Sequence, residues 1–357
     1  MLGLRIPTLS RRWGGRVAAL VAVSAMAGCA GASDAAAPSG SAAGGADGAA
    51  TTLSLVGYST PQVANEAIEA LWAETPEGAG VAWVESYGAS GDQSRAVAAG
   101  LEADYVHLSL EPDVTRLVDE GLVDPGWNQD EHGGIVSSSV VVIAVRPGNP
   151  LGIESWQDLT EPGVEIVTPN PTSSGGARWN VLAVWAAALA DGADDAGAEE
   201  FTKEVLSHVV SLPASARDAT SAFLAGTGDV LLSYENEAIL ARASGEELDY
   251  VVPDVTMRID NPGAVLEGAD PKARDWYEFL FTPEAQAEFA RTGYRPVVDG
   301  VTLPEVPGAN DPSDPFPAPS TLYTIDDFGG WAEAAPTYFD EEDGIVTALL
   351  QDVGVAG

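Results

Sequence analysis

Cysteine is almost absent from this 357-residue chain. Cys29 stands alone, which excludes an intramolecular disulfide and a Cys-rich zinc site. Lysine is nearly as scarce: Lys203 and Lys272 are the only two among 16 bases, set against 54 acids. A formal charge of −38 argues against a nucleic-acid partner, because phosphates would be repelled rather than neutralised. It does not exclude a small anion, since local donors can outweigh a screened global field. The three histidines, His107, His132 and His208, are scattered along the sequence, so a His-rich metal site is not expected. Nothing after residue 28 offers the ~18 consecutive apolar residues of a membrane span. Sharper motifs are missing too. There is no G-x-x-x-x-G-K-[ST] phosphate loop, and Gly226-Thr227-Gly228 lacks the third glycine of a dinucleotide fingerprint. The turn Gly88-Ala89-Ser90-Gly91-Asp92 misses the G-x-S-x-G elbow by one position.

What is present begins with an address. Arg5, Arg11, Arg12 and Arg16 precede a short, mostly apolar run at residues 17–27, and no acid occurs before Asp34. That is the pattern of a secretory signal rather than a transmembrane helix. The run ends Met26-Ala27-Gly28-Cys29, which resembles a bacterial lipobox with Cys29 as the lipidated residue. A plain secretory signal with an incidental cysteine is the other reading. Residues 30–50 are almost entirely Ala, Gly, Ser, Asp and Pro and read as a flexible tether. Removing residues 1–28 takes away four arginines and no acid, which makes the remaining chain more acidic still.

From residue 53 onward, β-rich runs alternate with helical patterns, which predicts an α/β fold with mainly parallel sheets. Strands are expected at residues 53–56, 81–84, 105–110, 140–145, 165–168, 209–212, 230–234 and 250–252. Helices are expected after Pro61, with Ala64, Ile68, Leu71 and Trp72 buried, then up to Ala99 and between Pro112 and Gly121. Further helices are expected at 177–190, burying Trp179, and at 271–281, 283–291 and 340–350. The proline-rich stretch 301–320 reads as irregular. Three turns, at residues 57–60, 88–91 and 172–176, are built from small residues, follow a strand and open a helix. A helix start leaves about four N–H groups unsatisfied and carries roughly half a positive charge, so such turns bind anions. Taken singly each is ordinary helix capping; three in one chain point to an anion.

The run TPNPTSSGGARWN at residues 168–180 resembles the signature of sulfate-binding proteins of ABC importers. So do GDVLLSYENE at 228–237, YTIDDFGGW at 323–331, YRP at 294–296 and RPGNP at 146–150. The similarity runs nearly collinearly from Leu53 to Phe339. It implies a two-lobed type II periplasmic-binding-protein fold, α/β in class, with the ligand cleft between lobes joined by crossing strands. Residues 51–143 and 252–319 would form lobe one and residues 144–251 lobe two. Residues 320–357 would be a C-terminal segment packing across or onto lobe two. The ligand implied is sulfate or thiosulfate, held by neutral donors without cofactor or metal. Carried over position by position, the donors are the N–H of Ser59 and the hydroxyl of Ser90 from lobe one. Lobe two would supply the hydroxyl of Ser174, the N–H groups of Gly175, Gly176 and Ala216, and the side chain of Tyr234.

The chain departs from better-known members by Ser59 for Asp, Tyr234 for Trp, and Asp92 and Asp218 for Lys and Gly. Tyr234 can accept as well as donate a hydrogen bond. The two acids are expected to cap helix starts or to pair with Arg95, Arg178 or Arg217. The resemblance implies a lipid-anchored monomer that hands its anion to a membrane permease and catalyses nothing. Its rivals are a receptor for phosphate, molybdate or tungstate, a serine hydrolase using Ser90 or Ser174, and a ligand-sensing partner of a signalling receptor.

Overall fold

A computed structural model describes residues 51–355. The expected signal, Cys29 and the tether lie outside the described residues. The chain runs β1 (Thr52–Tyr58), α1 (Gln62–Trp72), β2 (Ala82–Gly88), α2 (Ser90–Ala98), β3 (Tyr105–His107), α3 (Glu111–Asp119) and β4 (Ile135–Val145). It continues through β5 (Ile166–Val167), α4 (Gly175–Ala190), α5 (Asp195–Ser207), β6 (Val209–Ser211), α6 (Ala216–Leu224), β7 (Val230–Tyr234), α7 (Glu235–Ala243) and β8 (Asp249–Val251). Then follow β9 (Val255–Val265), α8 (Lys272–Phe279), α9 (Pro283–Arg291), β10 (Thr321–Tyr323), α10 (Trp331–Phe339) and α11 (Ile345–Val353).

Two parallel β-sets are joined by two long strands. In the first lobe β2, β1 and β3 lie side by side in parallel, and β3 meets the end of β9 antiparallel, from Tyr105↔Val265 to His107↔Gly263. In the second lobe β6, β5 and β7 are parallel neighbours, and β7 and β8 flank the far half of β4. Between the lobes the near half of β4 pairs antiparallel with β9, from Ile135↔Pro262 to Val140↔Arg258. Beyond that crossing, β4 reads as an unbroken apolar run because both of its faces are covered. Val141, Ile143 and Val145 enter one core, and Val140, Val142 and Ala144 enter another.

The first lobe packs Leu53, Leu55, Ile68 and Trp72 against Trp276 and Phe289 of α8 and α9. In the second lobe α4 is apolar almost all round and correspondingly buried on nearly every side, Trp179 and Trp185 included. The C-terminal helices add Phe339, Leu349 and Leu350 to the same core as Trp179.

Several boundaries differ from the sequence expectation for physical reasons. Strand β9 was not expected, because its Asp260-Asn261-Pro262-Gly263 reads as a turn. Cross-strand pairing on both edges overrides that local preference, and a Cβ on Gly263 would collide with the Tyr105 hydroxyl. Strand β3 stops at His107 rather than Leu110, where the Leu108 N–H is taken by the Pro262 carbonyl. The last expected helix, 340–350, starts later, as α11 at Ile345, and α10 before it was not expected. Asp340 ends α10 and its carboxylate accepts the N–H groups of Glu342 and Asp343, which forces a turn before α11. No helix among the described residues is long and apolar enough to cross a membrane.

Candidate functional site

The three small-residue turns meet. Strand β1 delivers Ser59, and helices α2, α4 and α6 begin at Ser90, Gly175 and Ala216. Across the seam between lobes, the Gly91 N–H donates to the Ser173 carbonyl at 3.1 Å. The Arg217 N–H donates to Ser59 Oγ at 3.3 Å, and Arg217 Nη2 to the Thr60 carbonyl at 3.2 Å. Ser109 Oγ lies 2.7 Å from the Tyr234 hydroxyl. A Cβ on Gly175 would sit 2.7 Å from Ser109 Oγ; one on Gly176 would lie 3.3 to 3.5 Å from Tyr234, Ser174 and Ala216. All seven residues named from the sequence, Ser59, Ser90, Ser174, Gly175, Gly176, Ala216 and Tyr234, therefore converge on one seam. Ser90, Ser174, Ala216 and Tyr234 are buried there, and Ser59 is half-buried.

The donors there are largely unspent. The N–H groups of Ser59, Ser90, Gly175, Gly176 and Ala216 make no hydrogen bond among the described residues, and neither does the Ser174 hydroxyl. Five of these donors belong to buried residues, and each left without a partner would cost about 1–3 kcal/mol unless something with acceptor oxygens meets it. The Ser90 hydroxyl is different. Its hydrogen goes to Asp113 Oδ2 at 2.7 Å, while its oxygen accepts from the Ser109 N–H at 2.9 Å. What Ser90 has free is its N–H, not the hydroxyl that the resemblance implied. Tyr234 stays protonated, because burial pushes its pKa well above the ordinary tyrosine range. Of the two hydrogens on the Ser109–Tyr234 pair one lies between the oxygens, so the pair has one left to give.

The charged groups around the seam are engaged with one another. Arg217 forms a two-pronged pair with buried Glu237, at 2.8 and 3.1 Å. Asp92 pairs with Arg95, and exposed Asp218 accepts from the Ser215 hydroxyl at 2.8 Å. Both acids thus behave as helix-start residues. The positive potential of the seam then comes from backbone dipoles at helix starts. No group of three or more His, Cys, Asp or Glu among the described residues is placed to hold a metal. His107 is fully buried between Asn65 and Ser137, and burial drags its pKa down to about 3. It hydrogen-bonds to neither Ser90 nor Ser174, so it serves neither serine as a base. Ser109, Asp113 and Asn261, which donates to the Ser109 carbonyl at 3.3 Å, were not singled out from the sequence.

Comparison with known proteins agrees with this geometry. The profile of a family described as bacterial extracellular solute-binding protein matches residues 53–295. A sulfate-binding protein of Synechococcus elongatus is 43% identical over 300 residues, 81% of this chain and 84% of that protein. A thiosulfate-binding protein of Pseudomonas aeruginosa is 31% identical over 77% of this chain and 84% of its own. The solved structure of the sulfate-binding protein SubI from Mycobacterium tuberculosis matches with a TM-score of 0.76 and 42% identity, covering 81% of this chain and all of that one. A periplasmic thiamin binding protein, 15% identical with a TM-score of 0.63, shares the fold. The chain belongs to the bacterial extracellular solute-binding proteins, and it is a two-lobed type II binding protein rather than an enzyme.

Proposed function

We propose that the protein captures sulfate, or thiosulfate, in the seam between its lobes and delivers it to an ABC permease. The observation that carries this is the convergence of six unpartnered donors, five of them on buried residues, on one seam, with no carboxylate accepting from any of them. A fully ionised tetrahedral dianion offers only acceptors and suits such a set. The donors are the N–H groups of Ser59, Ser90, Gly175, Gly176 and Ala216 and the hydroxyl of Ser174, with one further hydrogen from the Ser109–Tyr234 pair. The relatives named for sulfate and thiosulfate support the same ligand class. The lobes are residues 51–143 with 252–319, and 144–251; the segment 320–357 packs against the second. Lobe closure buries the anion. Isothermal titration of ligand-free protein against sulfate, thiosulfate, phosphate, molybdate and tungstate tests the reading. Sulfate or thiosulfate binds tightest; tighter binding of one of the others would overturn it.

The protein is a monomer held to the outer face of a membrane through lipid on Cys29. A diacylated cysteine supplies the two chains that firm attachment needs. Cys29→Ser is expected to release the protein into the soluble fraction, or to block signal processing, with sulfate affinity unchanged. Correctly processed Cys29→Ser protein retained on the membrane would mean the anchor lies elsewhere.

A further inference from the structure

A cavity of about 280 Å³ lies against the 169–174 loop, between α4 and the C-terminal helices. Its walls are Leu212, Phe339, Val346 and Leu350, and Arg178 reaches into it from the first turn of α4. The Arg178 guanidinium donates through Nε to the Pro171 carbonyl at 3.0 Å and lies 5.2 Å from the Phe339 ring centre. Its two terminal nitrogens make no hydrogen bond among the described residues, and no described carboxylate comes within 4.0 Å of it. Glu341 stands on the rim, exposed to water. Burial lowers the arginine's pKa, against the more distant pull of Asp113 and Glu341.

We propose that this cavity is a second ligand site, specific for a small carboxylate that carries an apolar group. The two unpaired nitrogens present a planar fork that matches both oxygens of a carboxylate. Pro171 and Phe339 hold that fork in place, so little rotamer freedom is lost on binding. The four apolar side chains cover the ligand's body, Thr172, Thr347 and Gln351 complete the lining, and Arg178 is the one cation there. A sulfate dianion suits this cavity poorly, because apolar walls leave its outer oxygens unpaired. The two sites therefore differ in chemistry, although they share a loop: the Asn170 carbonyl accepts the Ser174 N–H at 2.8 Å, while Asn170 also lines the cavity.

Isothermal titration of benzoate into the full chain, with excess sulfate present, tests the proposal independently of what the seam binds. One benzoate per chain is expected, with the same stoichiometry with and without sulfate. Arg178→Gln should weaken benzoate at least about tenfold. Exposed Gln351 borders the cavity, and Gln351→Trp should block benzoate while sulfate binding and the melting temperature stay at the parent values. Three results would overturn the proposal: no benzoate binding by titration or saturation-transfer NMR, displacement of benzoate by sulfate, or undiminished binding in Gln351→Trp.

Discussion

Two seam serines sit at helix starts, yet their hydrogens are committed differently. The Ser174 hydroxyl has no partner in the chain, whereas the Ser90 hydroxyl joins Asp113 to the Ser109 N–H. Ser174→Ala should therefore weaken sulfate by about 1.5–3 kcal/mol, the range for a hydrogen bond to a charged group, with little change in the stability of the anion-free protein. Ser90→Ala keeps the proposed N–H donor but strips Asp113 of one partner and leaves a buried N–H unpaired. It should cost about 1–3 kcal/mol of stability in urea unfolding and affect sulfate less than Ser174→Ala does. The opposite pattern, with Ser90→Ala losing affinity and keeping stability, would restore the Ser90 hydroxyl as a donor. Gly175 is constrained by space rather than by backbone angle. An added Cβ would meet Leu110 and Ser109 of the facing lobe at 2.7 Å, whereas one on Gly176 finds its nearest neighbour at 3.3 Å. Gly175→Ala is expected to wedge the seam and reduce sulfate affinity by about tenfold or more; Gly176→Ala should do so less. Titration of both variants checks the order.

Helix α1 and strand β2 pack a buried carboxyl between like charges. Glu69 is pushed up to about 9, by burial first and then by Glu85 and Glu66, and its Oε1 has no partner. The unfolded chain ionises this group near 4.5, so the contribution to stability is complete below that pH and is lost as pH rises toward 9. Glu69→Gln should stabilise the protein by roughly 2 kcal/mol near pH 7 and flatten the alkaline fall, read as urea midpoints at about pH 5, 7 and 9. An unchanged slope would mean that water reaches the carboxylate. The same elements also bound what sequence reading can recover. Strand β7, helix α9 and the three small-residue turns were legible because local signals agree there: apolar runs, a proline at a helix start, small residues after a strand. Strand β9 was hidden because its turn-like sequence is held extended only by neighbours far away in the chain. Ser109, Asp113 and Asn261 were hidden for a related reason. Their parts in the seam depend on contacts with Tyr234, Ser90 and Tyr58, and no spacing along the sequence encodes those meetings.

At the scale of the whole molecule, the proposed function asks a chain with formal charge −38 to hold a dianion. Distance resolves the conflict: fields from surface carboxylates decay over a Debye length of ~8 Å at physiological salt, while seam donors act at ~3 Å. Donors from both lobes meet at the seam, so β4 and β9, the strands that run between the lobes, make the site a property of the whole fold. Closure also decides which oxyanion is kept. Sulfate at neutral pH carries no proton and is satisfied by donors alone. Phosphate carries at least one proton between pH 5 and 8, and its hydroxyl needs an acceptor inside the closed seam. The nearby acids are already occupied: Asp113 by Ser90 and Arg116, Asp92 by Arg95, Asp218 by Ser215. In the proposed complex Ser174 gives its hydrogen to the anion, and Tyr234 must redirect the hydrogen it shares with Ser109 in order to accept. A buried hydroxyl without a settled partner is rejected by kcal-scale amounts. In competition titration at pH 8, sulfate should displace phosphate at equal concentration by a factor of at least about a hundred. Phosphate displacing sulfate would show that an acceptor faces the anion. Asp218→Gly and Tyr234→Phe then separate the two candidates, since whichever variant returns the preference to sulfate names the side chain that accepts the proton.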